Sequence, residues 1–446
     1  MDDQFTTACW NKDIPLIRSL LQNPSTNVNV KNPNGRTPFG TACRNADIEV
    51  VKLLLSDSRI DVNAETYDLG ETPFWIACES RKLEVIRLLL NDQRVDINKS
   101  DKEGVSPLWI AYERGFLDVV DLLINDKRLD INKVNRNGIS PFWMAYEKGH
   151  TTAMKFILND ERFDVNSTNS SGETFLYVSC EEGSMIYVKL LLCRENLDIN
   201  KANVDGASPF YIACLKGNFE IMKLLLNDER LDVNKANGDG KTPLFVVCEN
   251  GDLELLIFLL NDQRVDINRT NKKGETPFWV LCEKGHLQVS TILFNHEKID
   301  VNKTNADGVT PFYNACYHGH LEIVEMLLSD ERVDRNQATN DGRTPFQITC
   351  EMGHIQVLQL LLNDYRINIT KTTTEGETSL FTACKNGNLE ICQLLLEDKR
   401  MPIRNKTNKG QTPLDIAKKN NYPEIAKLFK NLDTGYLFIY LFIFIF

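Results

Sequence analysis

The chain has 446 residues, 42% of them hydrophobic and 25% charged. This is the balance of a folded globular protein and too apolar for an intrinsically disordered one. Its 51 Lys+Arg are outnumbered by 62 Asp+Glu, giving a net charge of -11, which argues against a general nucleic-acid binder or a protein held on anionic lipid by a basic patch.

The chain starts Met1-Asp2-Asp3 with no apolar run behind it, so no signal peptide is expected. Internal periodicity then sets the organisation. Gly35, Gly70, Gly104, Gly138 and their successors to Gly410 recur every 34 residues after a first step of 35. A second column, Gly115 to Gly387, stands eleven residues further into each unit. A tandem repeat therefore builds the chain, in place of several unlike domains.

Each unit carries the same elements in the same order. In Gly70-Glu71-Thr72-Pro73-Phe74-Trp75-Ile76-Ala77-Cys78, Thr72 is placed to cap a helix and Pro73 to occupy its first position, where no amide hydrogen is needed. The second glycine is a natural helix end. Leu83, Val85, Ile86, Leu88, Leu89 and Leu90 recur at helical spacing and predict a second, amphipathic helix. Asn91-Asp92 breaks it, and Val95-Asp96-Ile97-Asn98 leads into a turn at the next glycine. No such unit buries its apolar face alone, but a stack of them does. Counting back from Gly35 puts Ala8-Cys9 in register with Ala42-Cys43. The expected array is about thirteen repeats over residues 1–432, with the first and last as caps. Lys418, Lys427 and Lys430 give the last repeat a polar outer face.

The pattern resembles the ankyrin repeat family along essentially the whole chain. The resemblance rests on Gly274-Glu275-Thr276-Pro277-Phe278, on Gly319-His320-Leu321-Glu322, and on the Leu-Leu and Asp-Val-Asn segments, all repeated in one phase. It implies an all-α solenoid of helix-turn-helix units joined by hairpin-like loops, binding a partner protein on its concave face. Two departures stand out. The family's usual His after Thr-Pro-Leu is replaced by aromatics such as Trp75, Trp109, Trp143, Tyr177 and Tyr211, so aromatic packing is expected to replace a polar network between repeats. The loop after the second helix reads Asn-Asp-x-Arg, as in Asn91 to Arg94.

Several clusters imitate chemistry. Ten of the twelve cysteines share one repeat position, from Cys9 to Cys384, and read as a buried thiol column. Stacked helices at about 8–10 Å are too far apart for a disulfide ladder, so a reducing, cytoplasmic setting is expected. Cys316, His318 and His320 suggest a metal, but a spacing of two along a helix points side chains to different faces. No phosphate-binding loop, nucleophile elbow or zinc-protease motif occurs. Neither an enzyme nor a cofactor is expected. The recurring Asp92, Arg94 and Asp96 read as solvated local pairs on the loops, worth less than about 1 kcal/mol each.

Candidate partner-binding residues fall into three groups. Glu79, Glu113, Glu147, Glu181, Glu249, Glu283 and Glu351 form an acidic helix column that would steer a basic partner. Trp109, Tyr112, Trp143 and Tyr146 form the densest aromatic patch, with core packing as the competing account. Arg136 and Lys272 stand at hairpin tips whose sequence varies on a constant frame. Val247 and Leu281 enlarge a small-residue column and are expected to change the curvature locally. The apolar run Tyr436 to Phe446, within the tail 433–446, would span as a helix about half the hydrocarbon core of a bilayer, and a membrane partner is not expected. The alternative to a scaffold is a structural or mechanical spacer, membrane-attached through that tail.

Overall fold

A computed structural model describes residues 4–430. The predicted hydrophobic tail, 433–446, lies outside them. Twenty-five helices run from Gln4–Asn11 to Pro413–Lys419, and residues 423–430 are also helical, making thirteen helix pairs. Among the described residues there is no strand, only an isolated bridge between Thr168 and Thr174. Two compact units divide the chain. One holds the residues through Phe175 together with Leu190–Asp198, and the other holds Leu176–Lys189 and the residues from Ile199 onward.

Within each unit the same local rules make the helices. Thr72 is extended at φ −85° and its side chain accepts the amide of Trp75 at 3.1 Å, while Pro73 starts the helix. Such a cap is worth about 1 kcal/mol. The inner helix Pro243–Asn250 ends at Gly251, which is left-handed at φ 73°. A Cβ there would meet the ring of His286 at 2.8 Å, so only glycine fits. Inner helices pack on their successors, as Pro38–Asn45 does on Pro73–Glu79 and Pro243–Asn250 on Pro277–Lys284. Phe39, Phe74, Phe142, Phe210, Phe278 and Phe312 are wholly enclosed along that seam, each worth about 1.5–3 kcal/mol of burial.

The cysteine column is buried and its thiols are free. Burial pushes the Cys9 and Cys316 thiols up to about 12, Cys9 with help from the charge of Asp47, and it raises the others in the column too.

The enlarged small-residue column does not separate the helices. Val247 and Leu281 are fully buried, and the inner helices from Pro209–Leu215 to Pro311–His318 pack at an even closeness. In the repeat of Leu281, Ser290 is buried on the outer helix where Leu256 and Val324 stand in the neighbouring repeats. Bulk has moved across the pair there. Nothing in the structure explains how the Val247 repeat absorbs its extra volume.

Candidate inner-face binding site

The polar loops prove to be ties between repeats. Asn63 donates from Nδ2 to the Arg94 carbonyl at 2.8 Å and accepts the Asp96 amide at 2.8 Å. The arrangement recurs from Asn29 to Asn166 in the first unit and from Asn200 to Asn336 in the second. Arg94 pairs with Asp92 at 2.6 Å, but its guanidinium also reaches back to the Leu55 carbonyl at 2.8 Å. That carbonyl closes the previous outer helix and lacks an intrahelical partner. The expectation of purely local, solvated pairs is therefore corrected. Hydrogen bonding to Arg94 is the main cause that holds Asp92 below the usual carboxylate range.

The aromatic column is also polar. Trp75, Trp109 and Trp279 donate from Nε1 to the carbonyls of Val105, Ile139 and Val309 at 2.9, 3.1 and 3.0 Å. Gln347 fills the same position and donates to Lys371 and Glu377. Packing does not replace a network between repeats, because the indoles supply one. The His column adds to it, with Nε2 of His320 donating to the Glu283 carbonyl at 2.8 Å.

These ties decide which expected binding residues are available. Tyr112 is fully enclosed and its hydroxyl has no partner; burial raises its pKa. Trp109 is 6% exposed and Trp143 is 2% exposed. These three lie in the core, the account that competed with their reading as partner anchors. Tyr146 is half-buried against Trp143 and Phe175. Phe175 stands where most inner helices begin with proline, and it packs edge-on to Phe142 and Trp143. In that setting the indole nitrogen of Trp143 is left without an acceptor.

The acidic column is present but largely paired. Glu79 meets Arg114 at 3.3 Å, Glu181 meets Lys216 at 3.2 Å, and Glu249 meets Lys241 at 2.8 Å. Glu283 meets Lys284 at 3.3 Å and Glu351 meets Arg343 at 3.5 Å. Glu113 and Glu147 have no ion pair among the described residues, and Glu147 is exposed. At the tips, Arg136 is exposed and lies 3.8 Å from Glu103, and Lys272 is exposed. The tips themselves are laced by backbone bonds, Arg136 N to Glu103 O at 3.0 Å and Lys272 N to Asp239 O at 2.9 Å. Sequence reasoning missed that the acidic column opens with Trp10 and Arg44. The change of side-chain type at a fixed repeat position was the available signal.

No group of three or more His, Cys, Asp or Glu side chains among the described residues is arranged to hold a metal. Cys316 is buried, while the His318 and His320 rings stack at 5.8 Å. No described helix is long and apolar enough to cross a membrane.

A family model described as ankyrin repeats (three copies) matches in overlapping stretches that run from residue 5 to residue 435. No curated protein matches the chain. Ankyrin repeats are generally protein–protein interaction modules. With the helix pairs, the tip-to-tip bonds and the repeat ties all in one register, the chain belongs to the ankyrin repeat family.

Proposed function

We propose that the repeat array, residues 1–432, is a non-catalytic scaffold that binds a partner protein in the cytoplasm through its inner faces and hairpin tips. The observation that carries this reading is a division of labour within each repeat. Asn, Arg and Trp ties hold the frame, whereas the tip side chains differ from repeat to repeat and several are apolar and exposed. Tyr67 is 55% exposed, Leu69 53% and Val204 73%. Exposed apolar groups on a rigid frame are what a partner can bury. Glu113 and Glu147, lacking internal partners, are the acidic positions left to meet a basic surface. The buried free thiols support a reducing compartment.

The test is affinity capture from native lysate with the full chain. A control chain carries Tyr67→Ser, Leu69→Ser, Val134→Ser and Val204→Ser. A protein recovered with the native tips and lost with the control supports the scaffold. Identical recoveries, or none, favour a spacer whose behaviour depends on repeat number alone.

A further inference from the structure

The first two repeats build a pocket of a different kind from the remainder of the inner face. A cavity of about 310 Å³ is lined by Thr6, Thr7 and Trp10 of Gln4–Asn11, by Thr41 and Arg44 of Pro38–Asn45, and by Asn32, Asn34 and Arg36 at the adjoining tip. Three buried polar atoms of this lining have no hydrogen-bond partner: Oγ1 of Thr6, Oγ1 of Thr41 and Nε of Arg36. Thr6 and Thr41 are 5% and 4% exposed. Arg36 and Arg44 both line this one cavity, and the Glu71 carboxylate of the next repeat lies within range of their charges. Neither forms an ion pair among the described residues. In three other repeats the same two positions hold opposite charges that pair, Lys241 with Glu249, Arg343 with Glu351 and Glu377 with Lys385. Here both are arginine.

We infer that this pocket binds an oxyanion-bearing side chain of a partner peptide, a carboxylate or a phosphate, with the adjacent apolar residue lying on Trp10. The chemistry follows from the donors. Two guanidinium groups offer forked N–H donors to an anionic oxygen pair. Two threonine hydroxyls already stripped of water lack an acceptor, which such a ligand supplies. Trp10 is 59% exposed and presents an indole face next to the charge, the usual pairing of an aromatic anchor with a polar contact. The inference rests on the scaffold reading and names a chemistry for one of its surfaces. It also fits a net-acidic protein, since Arg44 reverses the charge in a column that is otherwise mostly acidic.

The test titrates the full chain with three capped tetrapeptides: Gly-Glu-Leu-Gly, its phosphoserine counterpart and its glutamine counterpart. Trp75, Trp109, Trp143 and Trp279 are each at most 7% exposed, so the solvent-sensitive part of the tryptophan emission reports Trp10. The expected result is saturable binding of the acidic peptides, about ten-fold or more weaker for the glutamine peptide and for Arg36→Gln/Arg44→Gln. The stronger of the two acidic peptides identifies carboxylate or phosphate as the source. Arg44 is exposed, so Arg44→Gln alone keeps the test independent of folding. Thr41→Val preserves shape; it should weaken binding while leaving the thermal midpoint of the free protein unchanged or higher. Equal binding of the neutral peptide, indifference to the arginine changes, or unchanged affinity in Thr41→Val overturns the inference. A negative titration leaves the scaffold reading standing, because the tip variants test that separately.

Discussion

The indole of Trp109 donates from Nε1 to the carbonyl oxygen of Ile139 at 3.1 Å, thirty residues further along the chain. One repeat is thereby tied to the next by a side chain whose ring is buried and whose polar atom is satisfied. Trp143, one repeat later, has the same ring in the same position and an indole nitrogen with no acceptor. The two differ in one hydrogen bond, and they therefore make a controlled comparison. Trp109→Phe removes the indole donor from the Ile139 carbonyl, which keeps the Asn135 amide at 3.0 Å, whereas Trp143→Phe removes a donor that was already unsatisfied. Both lose similar ring volume. Trp109→Phe is expected to be the more destabilising by about 1–3 kcal/mol. Urea denaturation of the two variants measures the difference, and equal losses would show that the bond contributes nothing.

The asparagine ties predict a similar contrast. Asn132 donates to the Arg162 carbonyl at 2.8 Å and accepts the Asp164 amide at 2.9 Å. Asn132→Ala releases a donor and an acceptor at once and should cost about 1–3 kcal/mol. Thr370 occupies the same repeat position after the ladder ends, is exposed, and bonds only within its own loop to Asn368. Thr370→Ala should stay within about 0.5 kcal/mol of the wild type. Since neighbouring repeats couple, the lost cooperativity should also be visible as faster amide exchange in the loops flanking Asn132.

Acid should loosen the loops in parallel. Asp57, Asp92, Asp126, Asp160, Asp262, Asp330, Asp364 and Asp398 are all held below the usual carboxylate range, chiefly by hydrogen bonds from the arginine two residues on. A carboxyl depressed in the folded state contributes stability that is present above its unfolded value, about 3.9, and is lost as pH falls through the lower folded value. The thermal midpoint is expected to hold steady from neutrality to about pH 5 and to drop below about pH 4. Because the arginine ends of these pairs stay partly open to solvent, the drop should be steeper at low salt than at high salt. A midpoint independent of pH down to about pH 2 would falsify this account.

Much of this architecture is legible in the residues. Thr72-Pro73 announces a capped helix start, the glycine columns announce the phase, and the Leu-rich segments announce the outer helices. What could not be read was where polar atoms go over 30 to 38 residues. Arg94 and Asp92 are two apart, so a local pair is the obvious sequence reading; the bond to Leu55 exists only because the previous outer helix ends beside the loop. Trp75 looks apolar in a column, yet its single N–H finds a carbonyl in the next repeat. The aromatic patch around Trp109 and Trp143 is buried because its column lies in the seam between inner helices, with Phe175, in place of a proline, packed edge-on against Trp143. The cationic pocket was missed because Trp10 and Arg44 break the acidic column instead of repeating it, so a tally of recurring residues passes over them.

One buried charge yields a prediction in the opposite direction from most core changes. Arg335 stands at the repeat position that holds Ile131 in the first unit and Ile267, Val301 and Ile369 in its own, all buried. Its side chain is only 9% exposed and its Nε has no hydrogen-bond partner. The guanidinium is held by the carbonyls of Asp330 at 2.7 Å and of Val333 and Leu328 at 3.2 Å, with the Asp364 carboxylate 3.9 Å away. Two of these groups have a better partner already: Arg366 pairs with Asp364 at 2.7 Å and donates to Leu328 at 2.9 Å. Removing Arg335 therefore leaves little uncompensated, and isoleucine restores the apolar contact that the neighbouring repeats make there. Exchanging a poorly satisfied buried ion for a well-packed aliphatic group is typically neutral or stabilising by about 1–4 kcal/mol. Arg335→Ile is expected to raise the denaturation midpoint, while Arg366→Ile, which strands Asp364, should lower it. If Arg335→Ile proves the more damaging of the two, the guanidinium is holding the loop at Asp330 in place and the apolar register of that column is not what fixes this repeat.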